Sequence, residues 1–209
     1  MTRIHATCSV LAMVALASAG LAQDASLYEE VANPNSSFVR VVDAKSAVAM
    51  IQTVSFDSIA AGVTPYVVID GEPEVNITAG ELSATEKVDP ATFYSFVVGA
   101  DGTSALVVDK ITRNPAQSDV TFYNLSDIAS VDLYVPQAKA MAIEGIGKND
   151  GGAVALKAPL TLDFEVRDGA TVVATVPAVQ LKRREGVAIV LSGTGGSYTA
   201  TVTPNALAR

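Results

Sequence analysis

Two stretches of the chain carry the same alternation of apolar and polar positions. Ser36-Ser37-Phe38-Val39-Arg40-Val41-Val42-Asp43 returns as Ser118-Asp119-Val120-Thr121-Phe122-Tyr123-Asn124-Leu125-Ser126. Setting Ser37 over Ser118 brings Val39 onto Val120, Val41 onto Phe122 and Asp43 onto Asn124. An apolar residue at every second position, closed by an Asx, is the period of a half-buried strand ending in a turn. The same alternation predicts strands over 47–56, 64–69, 74–78, 93–98 and 105–108, then over 131–135, 160–166, 187–191 and 198–202.

Between these runs lie turn signals. Asp70-Gly71 separates two alternating runs and reads as a hairpin, and Asp168-Gly169 reads as its counterpart. Lys148 to Gly152 reads as a long turn. In Leu160 to Val166 the even positions are expected to face a core. Strands every 8 to 12 residues or so, with no helical-period segment, predict an all-β chain of two tandem antiparallel β-sandwich domains. The polar, turn-rich stretch from Asp109 to Asp119 is the expected linker, because the opening pattern restarts after it. The expected units are 23–112 and 113–209, preceded by 1–22. Duplication of one sandwich explains the recurrence, and so does the grammar common to all half-buried strands.

Composition then narrows the function. Arg3, an apolar run from Val10 to Ala19, and small residues at Gly20 and Ala22 make 1–22 an expected secretory signal peptide. The mature chain is therefore expected outside the cytoplasm, with no transmembrane segment. The chain has one histidine and one cysteine, His5 and Cys8, and both lie in this leader. Without them the mature chain is expected to lack a Ser-His-Asp or Cys-His nucleophile, a His or Cys metal site and any disulfide framework. No catalytic residue and no cofactor are expected. The net charge of −8 is concentrated in the first half, which disfavours nucleic acid, anionic membrane and polyanionic polymer as its direct partners.

Lys182-Arg183-Arg184 is the basic cluster of the chain. It is a candidate for docking an acidic protein surface or the carboxylates of a uronic-acid polymer, the alternative being a solvated turn. Asp101-Gly102-Thr103 and Asn149-Asp150-Gly151-Gly152 lack the alternating oxygen ligands of a calcium loop and read as turns. Asp109, Arg113, Ser118 and Asp119 read as linker polarity rather than catalytic groups. The aromatics Tyr28, Phe38, Tyr66, Phe93, Tyr94, Tyr123, Tyr134 and Tyr198 read as packing rather than sugar-stacking platforms, since the chain has no tryptophan.

The leader, Leu27-Tyr28, the strand from Ser36 to Val42, Phe122-Tyr123-Asn124-Leu125-Ser126-Asp127, and a closing Leu181-x3-Glu185-Gly186-x-Ala188-Ile189-Val190-Leu191-x-Gly193 together resemble the AlgF family of alginate biosynthesis proteins. The resemblance implies a periplasmic protein with two β-sandwich domains, required for O-acetylation of alginate in Gram-negative bacteria. It also implies an adaptor working with separate acetyltransferases, and it carries over no catalytic residue. A carbohydrate-binding module that recognises the polymer directly is the alternative, and a self-assembling, pilus-associated sandwich is a third reading.

Overall fold

The computed structural model describes residues 33–43, 45 and 48–208. The leader 1–22 and Tyr28 lie outside the described residues. Among the described residues, sixteen strands are formed, and they fall into four sheets of four. In the first half these are β1 (Ser36–Val42), β2 (Ala49–Ile51), β3 (Val54–Phe56), β4 (Val67–Asp70), β5 (Glu74–Ala79), β6 (Leu82–Lys87), β7 (Phe93–Val98) and β8 (Ser104–Asp109). In the second half they are β9 (Gln117–Ser126), β10 (Ser130–Val135), β11 (Ala140–Gly147), β12 (Asp150–Lys157), β13 (Leu160–Asp168), β14 (Thr171–Leu181), β15 (Gly186–Thr194) and β16 (Ser197–Asn205).

The sheet orders are β3-β2-β5-β6 and β4-β1-β7-β8, then β12-β9-β15-β16 and β11-β10-β13-β14. Adding eight to each strand number of the first half gives the order found in the second. The two β-sandwiches expected from the strand spacing are present, and they share one topology. The equivalence extends to register. Phe38 pairs with Phe93 and Val39 with Tyr94 in the parallel pair β1-β7; Asp119 pairs with Gly186 and Val120 with Val187 in the parallel pair β9-β15. One central parallel pair in each sandwich is thus added to an otherwise antiparallel plan.

The odd positions Val39 and Val41 of β1 face their own core with Tyr94, Phe96 and Val98 of β7 and Ile51, Val75 and Ile77 of the opposing sheet. In the second sandwich, Val120, Phe122, Val187, Ile189 and Leu191 do the same against Leu133, Phe164 and Val166. The expectation of half-buried opening strands is corrected: every residue of β1 is buried, and so is all of β9 after Gln117. The second faces of β1, β7, β9 and β15 are covered because the inner sheets of the two sandwiches pack on each other. Val42, Val63, Val97, Tyr123, Leu125, Ala188 and Val190 form one apolar cluster across that junction. The molecule is a stack of four sheets with three buried seams.

Other local expectations are corrected in the same physical terms. The 47–56 stretch is a hairpin of two short strands, β2 and β3, turning at Gln52 with φ 52°. Asp70-Gly71 is not a hairpin: β4 pairs with β1 and β5 with β2 and β6, so the turn carries the chain from one sheet to the other. Asp168-Gly169 does close a hairpin, β13 to β14, so the two Asp-Gly turns are not counterparts. The turn after β11 is confined to Lys148-Asn149, and Gly151 and Gly152 lie inside β12. Gly151 is there for close approach, since a Cβ would meet the ring of Tyr123. In β13, Phe164 and Val166 are buried as expected, but Leu160 is 46% exposed, beyond a register shift between Leu162 and Phe164.

Replacing Phe122, fully buried in the second core, with Ala should cost about 3–5 kcal/mol. The same change at Val172, 43% exposed, should stay within about 0.5 kcal/mol. Urea unfolding at constant m-value measures both.

Candidate functional site

At the centre of the junction lies a charged group that sequence reasoning did not single out. Arg40 sits mid-strand on β1, on the face opposite Val39 and Val41, and is 1% exposed. Its Nε donates to Ser95 Oγ at 2.8 Å and its Nη1 to Asn205 Oδ1 at 2.7 Å. Its Nη2 donates to Thr121 Oγ1 at 2.9 Å and to Tyr123 Oη at 2.6 Å. Four of the five guanidinium N–H donors are therefore matched to acceptors. The guanidinium carbon also lies 4.2 Å from the centroid of the Tyr66 ring.

Asp109, at the end of β8, supplies the counter-charge 3.7 Å from Nη2. Its carboxylate accepts from Tyr66 Oη at 2.7 Å, from Ser95 Oγ at 2.6 Å and from Tyr123 Oη. All three hydroxyls lie within donating distance of Asp109, and Ser95 Oγ and Tyr123 Oη are also 2.8 Å apart, a hydrogen bond in which either is the donor. Ser95 and Tyr123 keep their lone pairs for Arg40. Desolvation by burial opposes the charge on Arg40, but its interactions with Tyr123, Tyr66 and Asp109 outweigh that and hold it further above the usual arginine range. Burial pushes the phenols of Tyr66 and Tyr123 well above the usual tyrosine range, although Arg40 works against it.

The cluster draws on both sandwiches at equivalent positions. Arg40 and Thr121 occupy the same register place on β1 and β9. So do Asp109 and Asn205, which pair with Phe93 and Gly186 respectively. Apolar groups seal the cluster on two sides, one being the junction cluster already described. The other is an aromatic box in which Phe38 stacks on Phe93 at 4.1 Å and Tyr66 meets Phe93 edge-on at 5.2 Å, with Leu207 against them. The packing reading of the aromatics holds for Phe38, Tyr66, Phe93, Tyr94 and Tyr123, which are buried, while Tyr134 and Tyr198 are partly buried.

The expected linker residues are more than surface polarity. Asp109, Ser118 and Asp119 are buried. Asp119 accepts from the backbone and hydroxyl of Thr112 and the backbone of Arg113, which pins the connector to the start of β9. Asp101 is exposed and ties the β7–β8 loop to the other sandwich. It pairs with Lys148 at 2.7 Å and accepts from Asn149 at 3.2 Å, and its carboxyl is held below the usual range by Lys148 and Thr103. The neighbouring Asp101-Gly102-Thr103 is a turn, and no group of three or more metal-ligating residues occurs among the described residues.

The basic cluster lies on the exposed β14–β15 connection. Lys182 pairs with Glu185 at 3.4 Å, Arg183 Nε donates to Ala158 O at 2.9 Å, and the Arg184 backbone, at φ 61°, donates to Gln117 O. Gln117 pairs with Lys157 across β9–β12, so Lys157 and the Arg113 segment come to the same end of the second sandwich. A shallow groove of about 320 Å³, lined by Pro159, Leu160, Thr161, Gln180 and Leu181, adjoins Lys182.

No family model matches the chain. Among proteins of known role, it is similar to the alginate biosynthesis protein AlgF of Pseudomonas syringae pv. tomato, 29% identical over 203 residues, covering 94% of this chain and 89% of that protein. AlgF of Pseudomonas aeruginosa is 26% identical over 204 residues, covering 94% and 92%. A solved structure of the C-terminal domain of AlgF from P. aeruginosa aligns with 43% of this chain and 99% of that one, at a TM-score of 0.39 and 22% identity. The resemblance read from the strand sequences therefore stands over nearly the whole chain.

The tyrosine shifts set an alkaline limit. Unfolded tyrosines lose their protons near pH 10 or so, whereas Tyr66 and Tyr123 retain theirs in the fold. The native state then binds more protons than the unfolded one, so stability is full below about pH 10 and falls as pH rises beyond it. The slope should reach roughly 1.4 kcal/mol per pH unit for each retained proton. Urea unfolding between pH 8 and pH 11 or so, repeated on Tyr66→Phe, should show the slope reduced by about one proton.

Proposed function

We propose that this chain, which resembles AlgF nearly from end to end, is a non-catalytic periplasmic adaptor. In this reading it is required for O-acetylation of alginate or a similar uronic-acid exopolysaccharide. It has a cleaved leader over 1–22 and sandwich units over 23–112 and 113–209, and it bridges separate acetyltransferase proteins without a cofactor. The observation that carries the reading is the placing of the chain's single histidine and single cysteine, at positions 5 and 8, within the expected leader. Acyl transfer to a sugar hydroxyl needs an activated nucleophile or a general base poised near neutral pH. Among the described residues, the groups whose proton affinity is displaced all move away from neutrality: Arg40, Tyr66, Tyr123 and Tyr198 upward, Asp101 and Asp127 downward. A role in holding partners suits such a chain better than a role in the chemistry.

Lys182, Arg183 and Arg184 are the proposed docking residues, facing an acidic protein surface. The Arg184 backbone bonds to Gln117 O and the Arg183 side chain to Ala158 O, so the three exposed residues sit on a defined turn. Direct recognition of the polymer is the competing reading, and both rest on the same guanidinium chemistry toward carboxylates.

The following measurements test this. The purified mature protein, given an acetyl donor ester and uronic-acid oligomers, should neither transfer nor hydrolyse acetyl above background; turnover would overturn the adaptor reading. Changing Lys182, Arg183 and Arg184 together to Ser should leave thermal stability nearly unchanged, because exposed charges contribute about 0–1 kcal/mol. The same change should weaken binding to the acetyltransferase proteins at low salt. Unchanged binding would make the cluster an ordinary turn, and binding of the unmodified chain to the oligomers alone would favour the polymer-recognition reading.

A further inference from the structure

Two domains joined by a short connector move relative to each other by default, unless their interface is large and well packed. Here, besides the hydrogen bond from Thr201 Oγ1 to Ala61 O at 3.1 Å, three ties cross the junction. The first is the Arg40 cluster, whose acceptors come from Ser95 on one side and from Thr121, Tyr123 and Asn205 on the other. The second lies at the loop end of the sheets, where Lys148 and Asn149 of the second sandwich grip Asp101 and Thr103 of the first. Gly99 admits Asn149 there, since a Cβ on Gly99 would overlap its amide.

The third tie is the end of the chain. After β16 the backbone leaves its own sandwich and pairs with the start of β4 in the other one. Tyr66 N donates to Ala206 O at 2.8 Å, and Ala208 N donates to Tyr66 O at 2.7 Å. Between them Leu207, 9% exposed, fills the aromatic box of Phe38, Tyr66 and Phe93. Asn205, one step earlier, is the acceptor for Arg40 Nη1. The strap and the buried charge therefore share one closure, in which Asn205, next to the strap, joins Ser95, Thr121 and Tyr123 around a single guanidinium.

We propose that this junction is a lock and not a hinge. The two sandwiches form one rigid body, Arg40 is its buried positioning residue, and residues 206–208 are the strap that closes it over the first sandwich. The outer sheets are thereby held at one fixed span. The inference concerns the chain by itself and stands or falls independently of the adaptor reading.

The chain lends itself to a direct test, because Cys8 is its one cysteine. With Cys8→Ser in the background, spin labels at Lys87→Cys on β6 and Thr175→Cys on β14 report the distance between the two outer sheets. The expected result is a single narrow distance population, unchanged between low and high salt because a buried pair is little screened. A broad or salt-dependent distribution in this otherwise unaltered chain overturns the lock. Ending the chain after Asn205 removes the strap, and with it Ala208 from the edge of the first core, while leaving the Arg40 acceptor in place, and should convert the narrow population into a broad one. A distribution that stays narrow after this truncation overturns the role of the strap. Arg40→Ala, if it folds, should broaden the population likewise, and persistence of the narrow population there overturns the role of Arg40.

Discussion

A guanidinium shut away from water governs this structure. Desolvating a single ion costs several kcal/mol even after relaxation, and the cost is offset only where the geometry is good and the remaining donors are matched. Arg40 meets those conditions with Asp109, Ser95, Thr121, Tyr123 and Asn205 around it. The acceptors on the two sides belong to different sandwiches. Neither sandwich alone completes the shell, so an undocked first sandwich leaves the charge with Asp109 and Ser95 and needs water for the rest. Docking is therefore coupled to the satisfaction of one side chain. The hydrophobic seams on either side of the cluster supply association, and the charge at its centre supplies the requirement that association be in one register.

The shared topology explains why the junction is both regular and asymmetric. Two copies of one sandwich meeting through the same inner face make a self-complementary contact, in which each position sees the equivalent positions of its twin. Such a contact cannot tolerate an arginine at the central register on both sides, because two like charges would be buried together. Here the place equivalent to Arg40 carries Thr121, a short acceptor that bonds the same guanidinium. The place equivalent to Asp109 carries Asn205, neutral and also an acceptor for it. One half keeps both charges of the pair, and the other supplies uncharged partners in matching positions. Identical topology with matched registers favours duplication over the chance recurrence of strand grammar.

Much of this was legible in the sequence, and the failures share a cause. Alternation located β1, β5, β7, β8, β9, β10, β13 and β15, because each has one face in its own sandwich core. The strands β6, β11, β12 and β14 carried no such signal. Residues 82–87 are mostly small and polar, and 150–157 begin with Gly151 and Gly152, which read as a turn although they make room for Tyr123 and Ile146. Asp70-Gly71 read as a hairpin because local chemistry specifies a turn without specifying whether the chain stays in its sheet. Pairing the two Asp-Gly turns was misleading for that reason, whereas pairing the opening strands was sound because register there is fixed by burial.

The buried cluster was invisible for a deeper reason. An arginine between two valines on a strand is the ordinary outward residue of a half-buried sheet, and the alternation that correctly placed Val39 and Val41 inward assigned Arg40 to solvent. What covers it is another domain, and a domain contact leaves no periodicity in either partner's strands. The one trace was the company it keeps: Phe38 and Val42 share its face, as do Tyr123 and Leu125 beside Thr121, too much apolar surface for water on both sides of the chain. Strands that are apolar on both faces belong between two layers. Read that way, Arg40 and Thr121 are the polar residues of two inward faces, and a charge on an inward face requires a counter-charge. Asp109, last residue of the strand next to β7, is where the fold places it.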